Sequence, residues 1–204
     1  MDLRLKNVNL NLIGKKFLIN TKSDKINLNL NLVPSKKIVK HYGNGYTVMY
    51  KNPEHRTYYL TFSRLNTKGK VKLNGRNYNV VGTSWFDHQK LNLPKHSSLN
   101  GWDWFSIIFN DKTELMFFVL RNKKGLVKNF MGGTYIDKNS KTINLLQEDV
   151  DIEVISTWVS PKTKISYPSG WNLKIKRLNL NVNVIPEVKN QEINRIPTTP
   201  INYW

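Results

Sequence analysis

The residues best suited to chemistry lie in Trp85-Phe86-Asp87-His88, where a carboxyl and an imidazole are chain neighbours in an aromatic setting. Imidazole changes charge near neutral pH, so His88 can give or take a proton, and Asp87 can share that work. Neighbours on an extended strand point to opposite faces, so the two side chains meet only where a loop or bulge turns them into one cavity. The plainer alternative makes His88 a structural hydrogen-bond donor and Asp87 a turn cap. A second acid, Asp103, stands in Trp102-Asp103-Trp104-Phe105-Ser106-Ile107-Ile108-Phe109. Alternation puts Trp102, Trp104, Ser106 and Ile108 on one face, and Asp103, Phe105, Ile107 and Phe109 on the other. A carboxyl heading an apolar row can serve as a proton donor; equally, it can sit solvated at a strand end or pair with a Lys or Arg.

Other chemistries find less support. Asp149, Asp151 and Glu153 alternate along one strand face, but a hard cation needs further oxygen ligands, and a solvated face is the simpler reading. His41, His55, His88 and His96 share no metal-ligand spacing, so no metal site and no cofactor are expected. No phosphate-binding glycine loop, nucleophile elbow or zinc-protease helix motif occurs. The chain has no cysteine, which excludes disulfides and thiolate metal sites.

The elements that must carry these residues are strands. Period-two alternation runs through Leu3, Leu5, Val8, Leu10 and Leu12, through Ile26-Asn27-Leu28-Asn29-Leu30-Asn31-Leu32, and through Leu178-Asn179-Leu180-Asn181-Val182-Asn183-Val184. Asn74-Gly75, between two strand-like runs, is a strong hairpin signal because both residues tolerate positive φ. Gly43-Asn44-Gly45, Asn110-Asp111-Lys112, Asp137-Lys138-Asn139-Ser140 and Pro168-Ser169-Gly170 mark further turns. Many short strands with frequent turns predict an all-β sandwich or barrel. Residues 89–101 are polar and aperiodic, a predicted loop with a domain boundary near 90, and the tail after Val188 is expected to be irregular. The 6 Trp, 9 Tyr and 8 Phe fill a core or line an apolar cavity; the sequence leaves both open.

The formal charge of the 204 residues is +18, which ordinarily points to an acidic partner. Alanine is absent, Lys far outnumbers Arg, and Asn and Ile are abundant, the usage of an AT-rich genome. The lysines stand singly or in pairs along the chain, without a stripe of interleaved aromatics, so no nucleic-acid partner is expected. No run reaches the length of a membrane helix. The opening Met1-Asp2-Leu3-Arg4-Leu5-Lys6 lacks an apolar h-region, so no signal peptide is expected.

Read in order, these blocks resemble a known family. Tyr58-Tyr59-Leu60-Thr61-Phe62-Ser63-Arg64 is followed by Val81-Gly82-Thr83-Ser84-Trp85-Phe86-Asp87-His88, then Gly101-Trp102-Asp103-Trp104-Phe105-Ser106, Glu114-Leu115-Met116, Thr157-Trp158-Val159-Ser160-Pro161 and Gln191-Glu192. The order over residues 40–204 is similar to that of carotenoid 1,2-hydratases (hydroxyneurosporene synthases) and their AttH-like relatives, often described as predicted secreted hydrolases. The resemblance implies tandem lipocalin-like antiparallel β-barrels, here a partial N-terminal β domain at 1–90 and a C-terminal barrel at 91–204. The leading barrel is expected to be incomplete, because the family's Trp-rich opening strands have no counterpart and the chain stops at Tyr203-Trp204. The resemblance further implies binding of a hydrophobic small molecule, isoprenoid or lipid-like. It implies hydratase (lyase) chemistry with Asp87, His88 and Asp103 as the catalytic set and Trp85, Trp102 and Trp104 around the ligand. A non-enzymatic lipid-binding or envelope carrier is the competing expectation. Relatives are often exported or envelope-associated, which leaves peripheral membrane association open.

Overall fold

Fifteen strands, named in chain order, are seen in the computed structural model, which describes residues 2–48, 54–92, 99–122 and 125–193 (for 99–100 and 125–131, the backbone only). They are β1 (Asp2–Leu5), β2 (Val8–Ile13), β3 (Lys16–Lys22), β4 (Ile26–Pro34), β5 (Val39–Lys40), β6 (Tyr46–Val48), β7 (Arg56–Leu73), β8 (Arg76–Leu91), β9 (Leu99–Ile108), β10 (Glu114–Asn122), β11 (Gly125–Ile136), β12 (Thr142–Leu145), β13 (Val150–Val159), β14 (Ser166–Ile175) and β15 (Leu180–Val184). Two single-turn 3-10 segments, Gln147–Asp149 and Lys176–Leu178, are the helical residues among those described. All pairings are antiparallel.

The chain divides into two compact units, Met1–Leu145 and Leu146–Trp204. The first holds an eight-stranded sheet in the order β1-β2-β3-β4-β7-β5, with β6 and β8 also on β7, and a four-stranded sheet in the order β12-β11-β10-β9. The second holds the three-stranded sheet β13-β14-β15. The division expected near residue 90 falls inside the first unit. β8 continues to Leu91, β9 begins at Leu99, and residues 93–98 of the anticipated loop lie outside the described residues, as do 194–204 of the tail.

Alternation explains the eight-stranded sheet. Phe17, Leu32 and Leu65 form its buried cluster, with Leu10, Leu12, Ile19, Leu30, Phe62 and Phe86 packed on it, while the intervening Asn and Lys face the other way. Asn74 and Gly75 turn β7 into β8 at φ 47° and 84°, the mirror-image turn that matches strand twist. Pairing runs from Leu73↔Arg76 to Thr57↔Leu91 with one interruption: Phe62 faces Phe86 and Leu65 faces Ser84, so Ser63 and Arg64 together oppose Trp85. This bulge exchanges the faces of β7. Before it, Thr57, Tyr59, Thr61 and Ser63 are buried on the side away from the Phe17 cluster; after it, Leu65 points into that cluster.

Two sequence expectations change. Pro168-Ser169-Gly170 lies inside β14 rather than at a turn; the ladder with β13 is irregular between Val154 and Thr157, which accommodates the proline's missing N–H. The run from Leu178 begins in a 3-10 segment and a left-handed Asn179, so strand β15 starts at Leu180.

Candidate functional site

Asp87 sits on β8, paired with Thr61 of β7. Its carboxylate accepts three hydrogen bonds: from Tyr59 Oη at 2.7 Å, from Thr61 Oγ1 at 2.5 Å and from Trp85 Nε1 at 2.7 Å. The strand period supplies these donors, since Trp85 is two residues before Asp87 and Tyr59 is two before Thr61. Tyr59 Oη in turn accepts from Trp104 Nε1 of β9 at 2.9 Å, so the neighbouring sheet reaches the same point.

A histidine completes the network. His41 follows β5, whose pairing with β7 brings it alongside; its N–H bonds Tyr59 O, its carbonyl accepts from Gly45 N, and Gly45 O accepts from Tyr59 N. Gly45 holds φ 86°, in the left-handed region that a glycine occupies without strain. The His41 ring lies 4.3 Å from the Tyr59 ring, centroid to centroid. Nε2 is 2.7 Å from Thr61 Oγ1 and Nδ1 is 2.8 Å from Thr134 Oγ1 of β11. Thr61 gives its hydrogen to Asp87 and therefore accepts from His41 Nε2–H; Nδ1 is then the acceptor of the Thr134 hydroxyl hydrogen. The result is a directional chain, Thr134 to His41 to Thr61 to Asp87.

Burial sets the titration of the lining groups. It lowers the His41 pKa from 6.5 to about 4 and pushes Tyr42, whose ring lies 6.5 Å from that of His41, up to about 12. Tyr59 is raised well above the usual phenol range, first by burial and then by the charge of Asp87. At neutral pH the imidazole is neutral and both phenols keep their protons.

The structure therefore brings together Asp87, Trp85 and Trp104 of the residues singled out from sequence. Trp102 shares the Trp104 face of β9, and the two indoles are 42% and 41% exposed. His88 is elsewhere: it is exposed, pairs with Leu60, and takes the Phe86 face of β8, opposite Asp87. Asp103 lies on the face of β9 away from Trp104, buried, with Oδ1 3.0 Å from the Arg121 guanidinium. The ion pair weighed as an alternative for Asp103 is the one present. Tyr59, Thr61, His41 and Thr134 were not singled out. The row Thr57, Tyr59, Thr61, Ser63 was a legible signal, four hydroxyls at strand spacing; His41 and Thr134 reach it only through tertiary contacts.

A second buried polar centre lies at the bulge of β7, where Ser63 of the same hydroxyl row reaches Glu114 at 3.4 Å. Glu114 of β10 is fully buried and accepts from Lys36 Nζ at 2.6 Å and Arg64 Nε at 2.5 Å. Arg64 is a bulge residue, and its Nη2 also reaches Phe109 O at 3.0 Å. In the second unit, Glu192 accepts from Ser160 at 2.6 Å, Tyr167 at 2.8 Å and Thr163, beside a groove of about 420 Å³. These bonds tie residues 160–167 to Glu192. Among the described residues, no three His, Cys, Asp or Glu side chains gather in a way that would hold a metal ion.

The chain matches the AttH-like family over residues 1–204. It belongs to the AttH-like family. An AttH-type protein from Nitrosomonas europaea is similar in structure, with a TM-score of 0.89 at 21% identity over 100% of this chain and 63% of that one. Kievitone hydratase from Nectria haematococca is similar with a TM-score of 0.74 at 18% identity, over 95% of this chain and 60% of that one. At such identities the likeness establishes the fold: this AttH-like chain is a nearly all-β, lipocalin-like protein whose eight-stranded sheet is a curled half-barrel. The AttH-like chain spans about three-fifths of the length of these solved relatives. No curated protein matches it.

Proposed function

We propose that this AttH-like chain holds a hydrophobic, isoprenoid- or lipid-like small molecule beside Asp87 and carries out hydratase-type chemistry there. The observation that carries the reading is the convergence of three hydrogen-bond donors on one carboxyl, one of them the Trp85 indole, with the Trp104 indole joined to the same network through Tyr59. Likeness to a hydratase fold supports it.

In hydration, an alkene carbon takes a proton, water adds to the resulting cation, and the added water loses a proton. One carboxyl can serve both transfers: Asp87 enters the cycle in its protonated form, gives that proton to the alkene and recovers one from the added water, so it ends as it began. Thr61 and Trp85 donate to Oδ1 and Tyr59 to Oδ2, so a proton on Oδ2 can be donated to Tyr59 Oη once the phenol hydrogen turns away, with the Thr61 and Trp85 bonds kept. Indole faces favour a nearby cation over water by about 0.5–2 kcal/mol, which suits the intermediate. Trp102 extends the same aromatic surface along β9.

Incubation with isoprenoid alkenes in heavy-oxygen water, read by mass spectrometry, tests the proposal. The expected result is one added water per alkene, with Asp87→Asn slowing turnover about 10²–10⁴-fold while the alkene stays bound. Unchanged turnover in Asp87→Asn would sink the catalytic role. One observation favours the carrier reading: His88 and Asp103 stand away from Asp87, which leaves one of the three sequence candidates at the site. Retention of the alkene without any water addition would establish that reading instead.

A further inference from the structure

We infer that the open face of the eight-stranded sheet binds an acidic polysaccharide, a chain of sugars bearing uronate or sulfate groups. The inference is independent of Asp87. Along the sequence the lysines look scattered, but strand register collects them. One row across six strands reads Arg4, Asn9, Asn20, Asn29, Lys70, Asn79, each paired with the next. Two residues along, Lys22, Asn27, Lys72 and Asn77 form a second row on the same face. A third row contains Asp2, Asn11, Leu18, Asn31, Lys68 and Val81. Asp2 is the one carboxylate in these rows, and it pairs with Arg4 at 3.1 Å.

Between the first two rows runs a groove of about 640 Å³ whose lining includes Lys6, Lys22, Lys70 and Lys72, together with Asn20 and Asn29, and contains no acid. Six strands at about 4.8 Å spacing give the whole face a reach of about 24 Å, room for several sugar units. An amide offers both donors and an acceptor, the pairing that sugar hydroxyls need, and ammonium groups answer the anionic substituents. The rows carry no aromatic ring on which a nucleic-acid base could stack. The large apolar residues of these strands sit mainly on the opposite face, so a bilayer would meet almost nothing to insert. AT-rich coding accounts for how many Lys and Asn the chain has, but not for their segregation onto one face.

Titration of the full chain with polygalacturonate tests the inference, with circular dichroism to verify that each variant is folded. The wild type should bind, more weakly at high salt. Replacing Lys22, Lys70 and Lys72 together by Gln should weaken binding about tenfold. Replacing Lys138, Lys141 and Lys174 by Gln removes the same charge elsewhere and should leave affinity within about twofold. The uncharged pair Asn20→Ala and Asn29→Ala should weaken binding about threefold to tenfold. Absence of binding, equal loss in the two lysine triples, or no loss in the asparagine pair would each overturn the site. Tighter binding of a DNA oligonucleotide or of anionic phospholipid vesicles at the same lysines would overturn the choice of ligand.

Discussion

His41 shows how one side chain records its surroundings. It is 1% exposed, bonded at both ring nitrogens, and its pKa falls from 6.5 to about 4 because burial penalises the charged form. Between those two values the unfolded chain binds a proton that the folded chain refuses, so stability rises with pH across the window. The contribution is fully present above about pH 6.5 and is lost as pH falls toward 4, on the order of 3 kcal/mol in all. His41→Gln should flatten the slope of unfolding free energy between pH 4 and 6.5 in urea titrations; an unchanged slope would show that other groups set the acid limb. Asp87 was visible in sequence because it stands beside an imidazole in Trp85-Phe86-Asp87-His88, an acid and a base as chain neighbours. His41 was not, because 20 residues separate it from Thr61 and 93 from Thr134, and nothing local marks a histidine that will be enclosed.

At the level of elements, the β7–β8 hairpin does most of the positioning. Its turn was legible because Asn-Gly suits positive φ at both places, and Gly75 at 84° has open space around its absent side chain. Gly75→Ala meets no clash there, so its cost is conformational, about 1 kcal/mol. Chemical denaturation should show a lower midpoint with an unchanged slope. The bulge at Ser63 and Arg64 was not legible. Tyr58 to Arg64 reads as uninterrupted strand, and only the partner strand shows that two residues oppose one. Because of that bulge, four hydroxyl side chains face the Asp87 network while Leu65, two residues after the last of them, joins the apolar cluster. Similarly, Pro168 reads as a turn until the irregular partner strand is seen.

For the molecule as a whole, the ion cluster at Glu114 draws the loop after β4, the bulge of β7 and the start of β10 to one point. Lys36 Nζ also donates to the carbonyls of Lys112 and Asp137. Glu114→Gln would leave two cations facing a neutral amide out of water, at a cost of about 3–5 kcal/mol. The melting temperature should drop by many degrees; a shift of only one or two would mean that water reaches the cluster. The all-β class was readable from alternation alone, since period two needs no tertiary information. The division into units was not, because a boundary depends on which strands pair, and β9 through β12 group with the chain before them.

The Asn74–Gly75 turn also orders events in time. Its first contacts are between chain neighbours, so they form at little entropic loss, and pairing can zip outward from there along both strands. The Asp87 end, where Thr57–Thr61 pair with Asp87–Leu91, is then expected to close late, together with β9 and β11. Gly75→Ala should accordingly retard folding, whereas Thr134→Ala should chiefly hasten unfolding.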